Sequence, residues 1–381
     1  MKLLFDFFEN SKQLAFFSFA YLAILILWYY FFLINNNFEL IFSDHNETYY
    51  YKPYFSFFIY EILNNKDFLH LSSILNIIII PFSCHLILFK IYTHFIDTKY
   101  AFLLSLISIS IFKETNFRDF LLNIFNFNFL PVNDFPLIFK FPFPSLSVII
   151  FLVILYNILK TFKYNNSKFI TITIISSLYF YINALDAMFI LLLWFFYIFN
   201  MLFKIKKYKL GFLYILLAFF IILPGLFNST LVQDNLFTDN NLYNLILYNL
   251  IPLALSLVFF YIKRIDLYEV WFKFKFIYFF IFLEILINLI VYFKIFNLDL
   301  FILNKQVLQF GIHLLYYTPL IYYATRKPIN YKFGPESNKL SKNLASIFFT
   351  ILVNQKSKIF IVLIILLLTY NFPINLFYAL Q

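Results

Sequence analysis

Glycine, cysteine and charge are all scarce in this chain. Its 381 residues include 4 Gly and 1 Cys, and only 13% of them are charged. A single cysteine, Cys84, cannot form a disulfide within the chain. The few glycines do not form a phosphate-binding loop, and the sequence has no Cys/His cluster with metal-ligand spacing and no nucleophile elbow. These absences argue against ATP-driven chemistry and against a Cys/His metal site.

Apolar and aromatic residues fill the chain instead. Hydrophobic residues make up 63% of it, far more than in an ordinary soluble domain. Residues 13–34 carry no charge over about 20 positions, the length that crosses a bilayer. The net charge of +10 does not indicate a nucleic-acid partner, because Lys and Arg collect in the cytoplasmic loops of membrane proteins. The composition predicts an integral membrane protein surrounded by lipids.

The apolar runs predict an all-α fold, a polytopic transmembrane helical bundle of about eleven spans. The segment 169–203 is interpreted as two helices that turn at Asn183–Asp186. The predicted spans are residues 13–34, 68–89, 100–112, 145–162, 169–183, 187–203, 210–227, 242–262, 276–296, 307–325 and 357–373.

The charge distribution orients these spans. With the N-terminus in the cytoplasm, about three quarters of the 29 Lys and Arg fall in cytoplasmic loops, as the positive-inside rule expects. Most of the 19 acidic residues then lie outside. Two outer loops, 35–67 and 113–144, exceed the roughly 12–15 residues above which a loop usually has a function. The working face is therefore predicted outside, on a multi-pass protein of the bacterial inner or plasma membrane type.

Two regions are predicted along the chain. Residues 1–325 form a transmembrane module that carries both long outer loops. Residues 326–381 form a basic interfacial segment followed by the last membrane helix. The amphipathic piece Leu340–Val353 is expected among anionic lipid headgroups at the cytoplasmic surface.

The first outer loop contains "SDHNETYYYKPYFSFFIYEI", Ser43 to Ile62. Pro53 suits the start of a helix, and the helix predicted over Tyr54–Asn64 is too short to span a bilayer. An amphipathic helix lying on the membrane surface is expected here, and another in the second outer loop. This arrangement would hold Asp44 at the boundary between lipid and water, where a soluble acceptor and a lipid-borne donor could meet.

These features resemble the GT-C superfamily of integral-membrane glycosyltransferases, which use polyprenyl-phosphate sugars. The likeness consists of a cytoplasmic N-terminus, one helix, and a long first outer loop with an acid followed by a Tyr-x-x-Pro-x-Tyr type pattern. That pattern corresponds to Asp44, Tyr50 or Tyr51, Pro53 and Tyr54. A second outer loop with acids and an arginine corresponds to "FKETNFRDF", residues 112–120. The topology matches over about residues 10–230 and suggests an uncharacterised bacterial branch.

The resemblance implies inverting transfer of a hexose or pentose to a glycan, lipid or protein acceptor. Asp44 would be the general base that deprotonates the acceptor hydroxyl, and Arg118 with Lys113 or Lys140 would hold the lipid phosphate. Family members often carry two adjacent acids where this chain has Asp44-His45, which leaves the base and any metal requirement open. The substrate-binding residues expected are Glu114, Asp119, His45, Tyr51, Asp186, Arg118 and Lys140.

Each of these residues also fits a plainer role. Asp44 beside Asn and Ser is typical of a turn or helix cap, and Arg118 next to Asp119 is typical of a surface ion pair. His45 has no second histidine at ligand spacing, so no metal ligand is assigned. Asp44 and Glu47 could hold a divalent ion such as Mg²⁺ or Mn²⁺, but two carboxylates alone are weak support for a cofactor.

Glu284 lies in the middle of a predicted span, where an acid is costly and suggests either a function or a hydrogen bond to a neighbouring helix. It fits an alternative hypothesis, a non-catalytic membrane subunit of a respiratory complex with Glu284 and Lys305 on a proton path. The long acidic outer loops argue against that hypothesis. A flippase or transporter of lipid-linked glycans is a third possibility, but matching halves with Gly- or Pro-broken helices are missing from the sequence.

The predicted topology can be tested by cysteine labelling. With Cys84 replaced by Ser, single cysteines at positions 44 and 206 should react from opposite sides of the membrane with an impermeant maleimide. Position 44 is expected to label in intact cells and position 206 only after permeabilisation. Labelling of both positions from the same side would remove the outward placement of Asp44.

Overall fold

The computed structural model describes residues 12–35, 69–110, 145–164, 169–182, 184–204, 208–228, 250–263, 265–292 and 312–325. Almost all of these residues are helical, and no strand occurs among them. The predicted all-α class is therefore confirmed. The two long outer loops and the segment 326–381 lie outside the described residues.

Eleven α-helices are described along the chain. In order they are α1 Lys12–Asn35, α2 Leu69–Ile74, α3 Ile80–Thr93, α4 Thr98–Ser110, α5 Ser145–Tyr164, α6 Phe169–Leu178, α7 Ala184–Lys204, α8 Tyr208–Asn228, α9 Ile251–Lys263, α10 Leu267–Tyr292 and α11 Thr318–Thr325.

Membrane spans were predicted from the same apolar runs that form these helices. Among the described residues, no helix is both long enough and apolar enough to cross a membrane. The helical class is therefore established, whereas a membrane-spanning arrangement is not.

Helices α2 and α3 are joined by a π-helical turn, Leu75–Ile79. Pro81 follows immediately and has no N–H to donate, and its ring would collide with the carbonyl four residues earlier in a regular α-helix. The wider turn relieves that collision, because the N–H of Ile80 bonds to the carbonyl of Leu75, five residues back. One predicted span, 68–89, is thus an irregular helix that continues to Thr93.

The core forms where α3 packs between α4 and α5, and where α5, α6 and α7 pack against one another. Aromatic side chains fill it, and the largest that are fully buried include Trp194, Phe151 and Phe102. Thr161 at the end of α5 accepts a bond from Tyr197 in the second half of α7, through the Thr161 carbonyl oxygen at 3.0 Å. Helices α5 and α7 therefore run side by side in the same direction. Helix α6 connects them in the chain and runs in the opposite direction.

The turn predicted within 169–203 is present. Helix α6 tightens into a 3-10 turn, Tyr179–Tyr181, before α7 begins at Ala184. The N–H of Ile182 closes this turn on the Tyr179 carbonyl at 2.9 Å. The Tyr181 hydroxyl donates to the carbonyl of Ile221 in α8 at 2.6 Å. The break between the two helices is thus stabilised by a contact with a third helix.

The predicted spans 242–262 and 276–296 leave residues 263–275 between them as a loop, and this prediction is wrong for residues 267–275. Helix α10 begins at Leu267, where the Asp266 carboxylate caps the helix by accepting from the N–H of Tyr268 at 2.9 Å. The helix bends at Phe274, whose backbone angles are φ −110° and ψ 19°. The charges that suggested a loop are carried on a capped and kinked helix.

The predicted span 307–325 is described from residue 312 and is not a regular α-helix throughout. Residues Ile312–Tyr317 form a 3-10 helix and α11 follows from Thr318. Pro319 cannot donate a backbone hydrogen bond, so a continuous α-helix through this position would be disfavoured. The Thr318 hydroxyl instead donates to the Leu315 carbonyl at 2.6 Å and joins the two segments.

Gly211 allows α8 to approach α7 closely. A Cβ atom at this position would lie 3.0 Å from Leu202 Cδ1 and 3.2 Å from Phe199 Cε1. Gly211→Leu should therefore destabilise the protein by about 1–3 kcal/mol through overpacking. Gly211→Ala should be nearly neutral, because the added contact opposes a gain in helix propensity of about 1 kcal/mol.

Thermal unfolding in detergent, followed by circular dichroism, measures both Gly211 variants. Phe220→Leu is the matched control, since Phe220 lies on the same helix and is 66% exposed. If Gly211→Leu unfolds at the same temperature as the control, α7 and α8 are not packed as described.

Candidate functional site

Asp186 is the one predicted substrate-binding residue that lies within the described residues. It occupies the first turn of α7 and is 1% exposed. The positive end of the helix dipole favours a carboxylate at this position. Burial of an acid is costly without partners, so the surroundings of Asp186 decide what it can do.

Two hydroxyl groups join Asp186 to neighbouring helices. The Tyr179 hydroxyl donates to Asp186 Oδ2 at 3.4 Å and to the Ser147 carbonyl oxygen at 3.0 Å, and it lies 2.7 Å from Ser147 Oγ. Tyr179 and Ser147 are 1% and 2% exposed. We call these three residues the Ser147–Tyr179–Asp186 cluster.

Each hydroxyl group has one hydrogen, and this fixes which group donates in each hydrogen bond of the cluster. Tyr179 has a single phenolic hydrogen, which is shared between the Asp186 carboxylate and the Ser147 carbonyl oxygen. The short contact to Ser147 Oγ is then satisfied when the serine donates to the tyrosine oxygen. Hydrogen bonds thus lead from Ser147 through Tyr179 to Asp186. The cluster thus gives the buried carboxylate a hydrogen-bond donor.

The cluster gathers the ends of three helices that neighbour the predicted outer side. Ser147 lies two residues into α5, which begins where the second long outer loop, 113–144, stops. Tyr179 lies at the end of α6 and Asp186 at the start of α7. In the predicted topology all three positions are outward ends of spans.

Contacts nearer the other end of α6 and α7 hold these two helices against each other. The indole N–H of Trp194 in α7 donates to Thr173 Oγ1 in α6 at 2.8 Å, and both residues are fully buried. The ring of Trp194 also stacks on Phe169, with centroids 5.8 Å apart. These contacts fix the height of α6 against α7 and hence the position of Tyr179 beside Asp186.

His85 forms a second buried polar cluster that sequence reasoning missed. Its Nδ1 lies 3.0 Å from Ser105 Oγ in α4, and its Nε2 lies 3.3 Å from Ser18 Oγ in α1. Ser105 also donates to the Phe102 carbonyl at 2.7 Å, so it accepts from His85 Nδ1–H. Full burial disfavours a charged imidazole, and in the neutral ring with Nδ1–H, Nε2 accepts from Ser18. The signal available in sequence was a lone histidine and two lone serines within apolar runs.

Glu284 has a partner on a neighbouring element. It is 5% exposed in α10, and the Tyr316 hydroxyl donates to its Oε2 from the 3-10 helix Ile312–Tyr317. This contact agrees with the interpretation of Glu284 as an acid that hydrogen-bonds a neighbouring segment. The suggested proton-path partner, Lys305, lies outside the described residues.

The remaining predicted site residues lie outside the described part of the chain. They are Asp44, His45, Tyr51, Glu114, Arg118, Asp119 and Lys140. Their distances from Asp186 are therefore not part of the description. Within the described segments no group of three or more His, Cys, Asp and Glu side chains could hold a metal ion. The carboxylate pair considered for Mg²⁺ or Mn²⁺, Asp44 and Glu47, is not among those segments.

Comparison with known proteins adds no relative. No family model, no curated protein and no solved structure matches this chain.

The cluster predicts a stability effect that depends on one hydroxyl group. Tyr179→Phe keeps the ring but removes the donor to Asp186, and should cost about 1–2 kcal/mol of unfolding free energy. Ser147→Ala should cost less in the Tyr179→Phe background than in the wild type, because both changes affect the same contact. Unfolding in detergent, followed by circular dichroism, measures this double-mutant cycle.

Tyr214→Phe is the control, because Tyr214 packs on Phe169 through its ring and is only half-buried. Its loss of a hydroxyl should leave stability within about 0.5 kcal/mol of the wild type. Strict additivity of the Tyr179 and Ser147 substitutions would contradict the hydrogen-bonded chain.

Proposed function

We propose that this protein is a membrane-embedded glycosyltransferase that moves a sugar from a polyprenyl-phosphate donor to an outward-facing acceptor. In this proposal the chain is a polytopic helical bundle of the GT-C type with its N-terminus in the cytoplasm. The single observation that carries the proposal is the buried Ser147–Tyr179–Asp186 cluster, at helix ends that the predicted topology assigns to the outer side.

A lipid environment is supported by the apolar surface of the bundle. Helix α8 exposes large hydrophobic side chains along its length, including Phe212 at 64% and Phe220 at 66%. Helix α9 exposes Leu255 and Val258 in the same way. Exposing apolar surface to water costs about 25 cal/mol per Å², whereas lipid tails solvate it. A composition of 63% hydrophobic residues agrees with this environment.

The cluster supports a reaction site because a buried carboxylate is rarely retained without a role or strong partners. Asp186 lies in the first turn of α7 and accepts from Tyr179, which also contacts Ser147 near the start of α5, the helix that follows loop 113–144 in the chain. A fixed carboxylate can accept hydrogen bonds from sugar hydroxyl groups and orient them. In this proposal Asp186 belongs to the substrate-binding site, and the base comes from the first outer loop.

The transfer itself requires few groups. Asp44 would take the proton from the acceptor hydroxyl as its oxygen attacks the anomeric carbon of the sugar. The bond between that carbon and the phosphate oxygen breaks, and its electron pair leaves with the polyprenyl phosphate. Arg118 and Lys140 would stabilise the negative charge of the departing phosphate, since guanidinium pairs with phosphate oxygens through two hydrogen bonds.

Asp44→Asn tests the proposal directly. The variant should insert into the membrane normally but lose sugar transfer by about 10²- to 10⁴-fold, the usual contribution of a general base. The assay uses the full chain in vesicles, with radiolabelled polyprenyl-phosphate hexoses and pentoses as donors. Label released from the lipid, to an envelope-extract acceptor or to water, is counted.

Asp97→Asn is the matched control for this assay. Asp97 is an exposed acid in the turn before α4, on the side predicted to be cytoplasmic, and its substitution should leave transfer unchanged. Asp186→Asn should raise KM or lower kcat by a smaller factor than Asp44→Asn. Full activity of Asp44→Asn would remove Asp44 from the site, and no release from any donor by the wild type would contradict the transferase.

A further inference from the structure

The turn between α9 and α10 carries an unusual concentration of exposed aromatic rings. Tyr261 is 83% exposed, Tyr268 72% and Phe272 65%, and Trp271 is more than half exposed. Lysines lie among these rings, with Lys263 and Lys273 exposed and Lys275 half-buried. We call this region, residues 261–275, the aromatic–basic surface. Its exposed rings and lysines lie apart from the core and from the Ser147–Tyr179–Asp186 cluster, although Val270 and Phe274 within the same stretch are buried.

The kink at Phe274 divides α10 into a short first segment and a longer second segment. The Phe274 side chain is fully buried, and its ring contacts Phe95 and Tyr322 at centroid distances of 6.3 and 5.4 Å. Beyond it, the inner face of the helix buries Ile277 and Phe280 in the core. The bend therefore separates a segment with one buried face from a short first segment, Leu267–Lys273, that presents aromatic rings at the surface.

The lysine ammonium groups are positioned by neighbouring rings. Lys273 Nζ lies 3.4 Å from the ring centroid of Tyr322, and Lys275 Nζ lies 5.4 Å from that of Phe272. Cation–π contacts of this kind attract an ammonium group to the face of an aromatic ring. The region thus offers cations next to exposed rings at defined positions.

The acids in the same region have structural contacts. Asp266 caps α10 through the N–H of Tyr268, and Glu269 accepts from the Tyr323 hydroxyl at 3.3 Å. Residues 261–275 contain four basic and only these two acidic side chains. The surface is therefore positive overall and is suited to a negatively charged partner that also accommodates aromatic rings.

We propose that the aromatic–basic surface lies in the headgroup layer of a membrane and binds anionic phospholipid, with Lys273 and Lys275 on lipid phosphates. Tyr and Trp concentrate at this depth in membrane proteins because their rings are apolar and their tips are polar. Each Lys near an anionic surface contributes about 1 kcal/mol of attraction. Soluble anions would satisfy the lysines but leave the aromatic rings in water.

This inference rests on the membrane location within the proposed function, and is independent of sugar transfer. The predicted topology assigns residues 263–275 to the cytoplasmic side, where anionic lipids are concentrated. The surface would anchor the start of α10 at that boundary and set the depth of the helix. Glu284, further along α10, would be placed at a fixed distance from the headgroups.

Quenching of Trp271 fluorescence by brominated lipids tests the proposal. The full chain is reconstituted in vesicles of phosphatidylcholine and phosphatidylglycerol in equal amounts, with one of the two lipids brominated at a time. The Trp271 signal is the difference between the wild type and Trp271→Phe. Brominated phosphatidylglycerol should quench it more than brominated phosphatidylcholine, with a preference of about fivefold for each lysine engaged.

Charge variants separate lipid recognition from folding. The double substitution Lys273→Gln and Lys275→Gln should abolish the preference for phosphatidylglycerol, whereas Lys273→Arg with Lys275→Arg should keep it. Lys209→Gln is the matched control, because Lys209 is an exposed lysine at the start of α8 and should have no effect on the Trp271 signal.

The other outcomes overturn the proposal in distinguishable ways. Equal quenching by both lipids would mean lipid contact without recognition of the anionic headgroup. No quenching by either lipid, in a chain that stays in the membrane after alkaline carbonate washing, would mean that another protein segment covers Trp271. Release of the chain by that washing would contradict the membrane location itself, and with it the proposed function.

Discussion

Most of the buried polar side chains among the described helices pair with one another or with backbone carbonyls, and several of these pairs cross from helix to helix. An unpaired buried hydroxyl or carboxylate costs several kcal/mol, and the apolar surroundings offer few alternatives. Ser147, Tyr179 and Asp186 join α5, α6 and α7 at one end. His85 joins α1, α3 and α4 in the same manner through two serines. Apolar contacts alone would allow these helices to slide or rotate.

Backbone groups obey the same constraint, which explains where the helices are irregular. The π-helical turn Leu75–Ile79 precedes Pro81, and the 3-10 helix Ile312–Tyr317 precedes Pro319. Each proline lacks a donor, and the chain re-pairs the neighbouring carbonyls through a wider or tighter turn. The bend at Phe274 has a different origin, because a fully buried ring anchors it between Phe95 and Tyr322. His85 follows the π-helical turn in the chain, and Glu284 follows the bend at Phe274.

Sequence patterns predicted most of the helices but misjudged one connection. Long apolar runs indicated the helices, and the polar pair at Asn183 and Asp186 indicated the break between α6 and α7. The stretch 263–275 was predicted as a loop because its charges interrupt the apolar pattern. Charge alone does not prevent a helix, and Asp266 supplies a cap that starts one. Local patterns therefore located the apolar elements better than the charged ones.

The sequence by itself determined the helical class and drew attention to Asp186 and Glu284, because an acid in an apolar run is costly wherever the run folds. Only the tertiary structure decided which groups form hydrogen bonds with these acids. Tyr179 is near Asp186 in the chain, but Ser147 and Tyr316 reach their partners from 32 residues away. His85 gained its role through serines on two other helices. Such hydrogen bonds depend on how the helices are rotated and packed against one another. The periodicity of one helix does not indicate which side chains of another helix contact it.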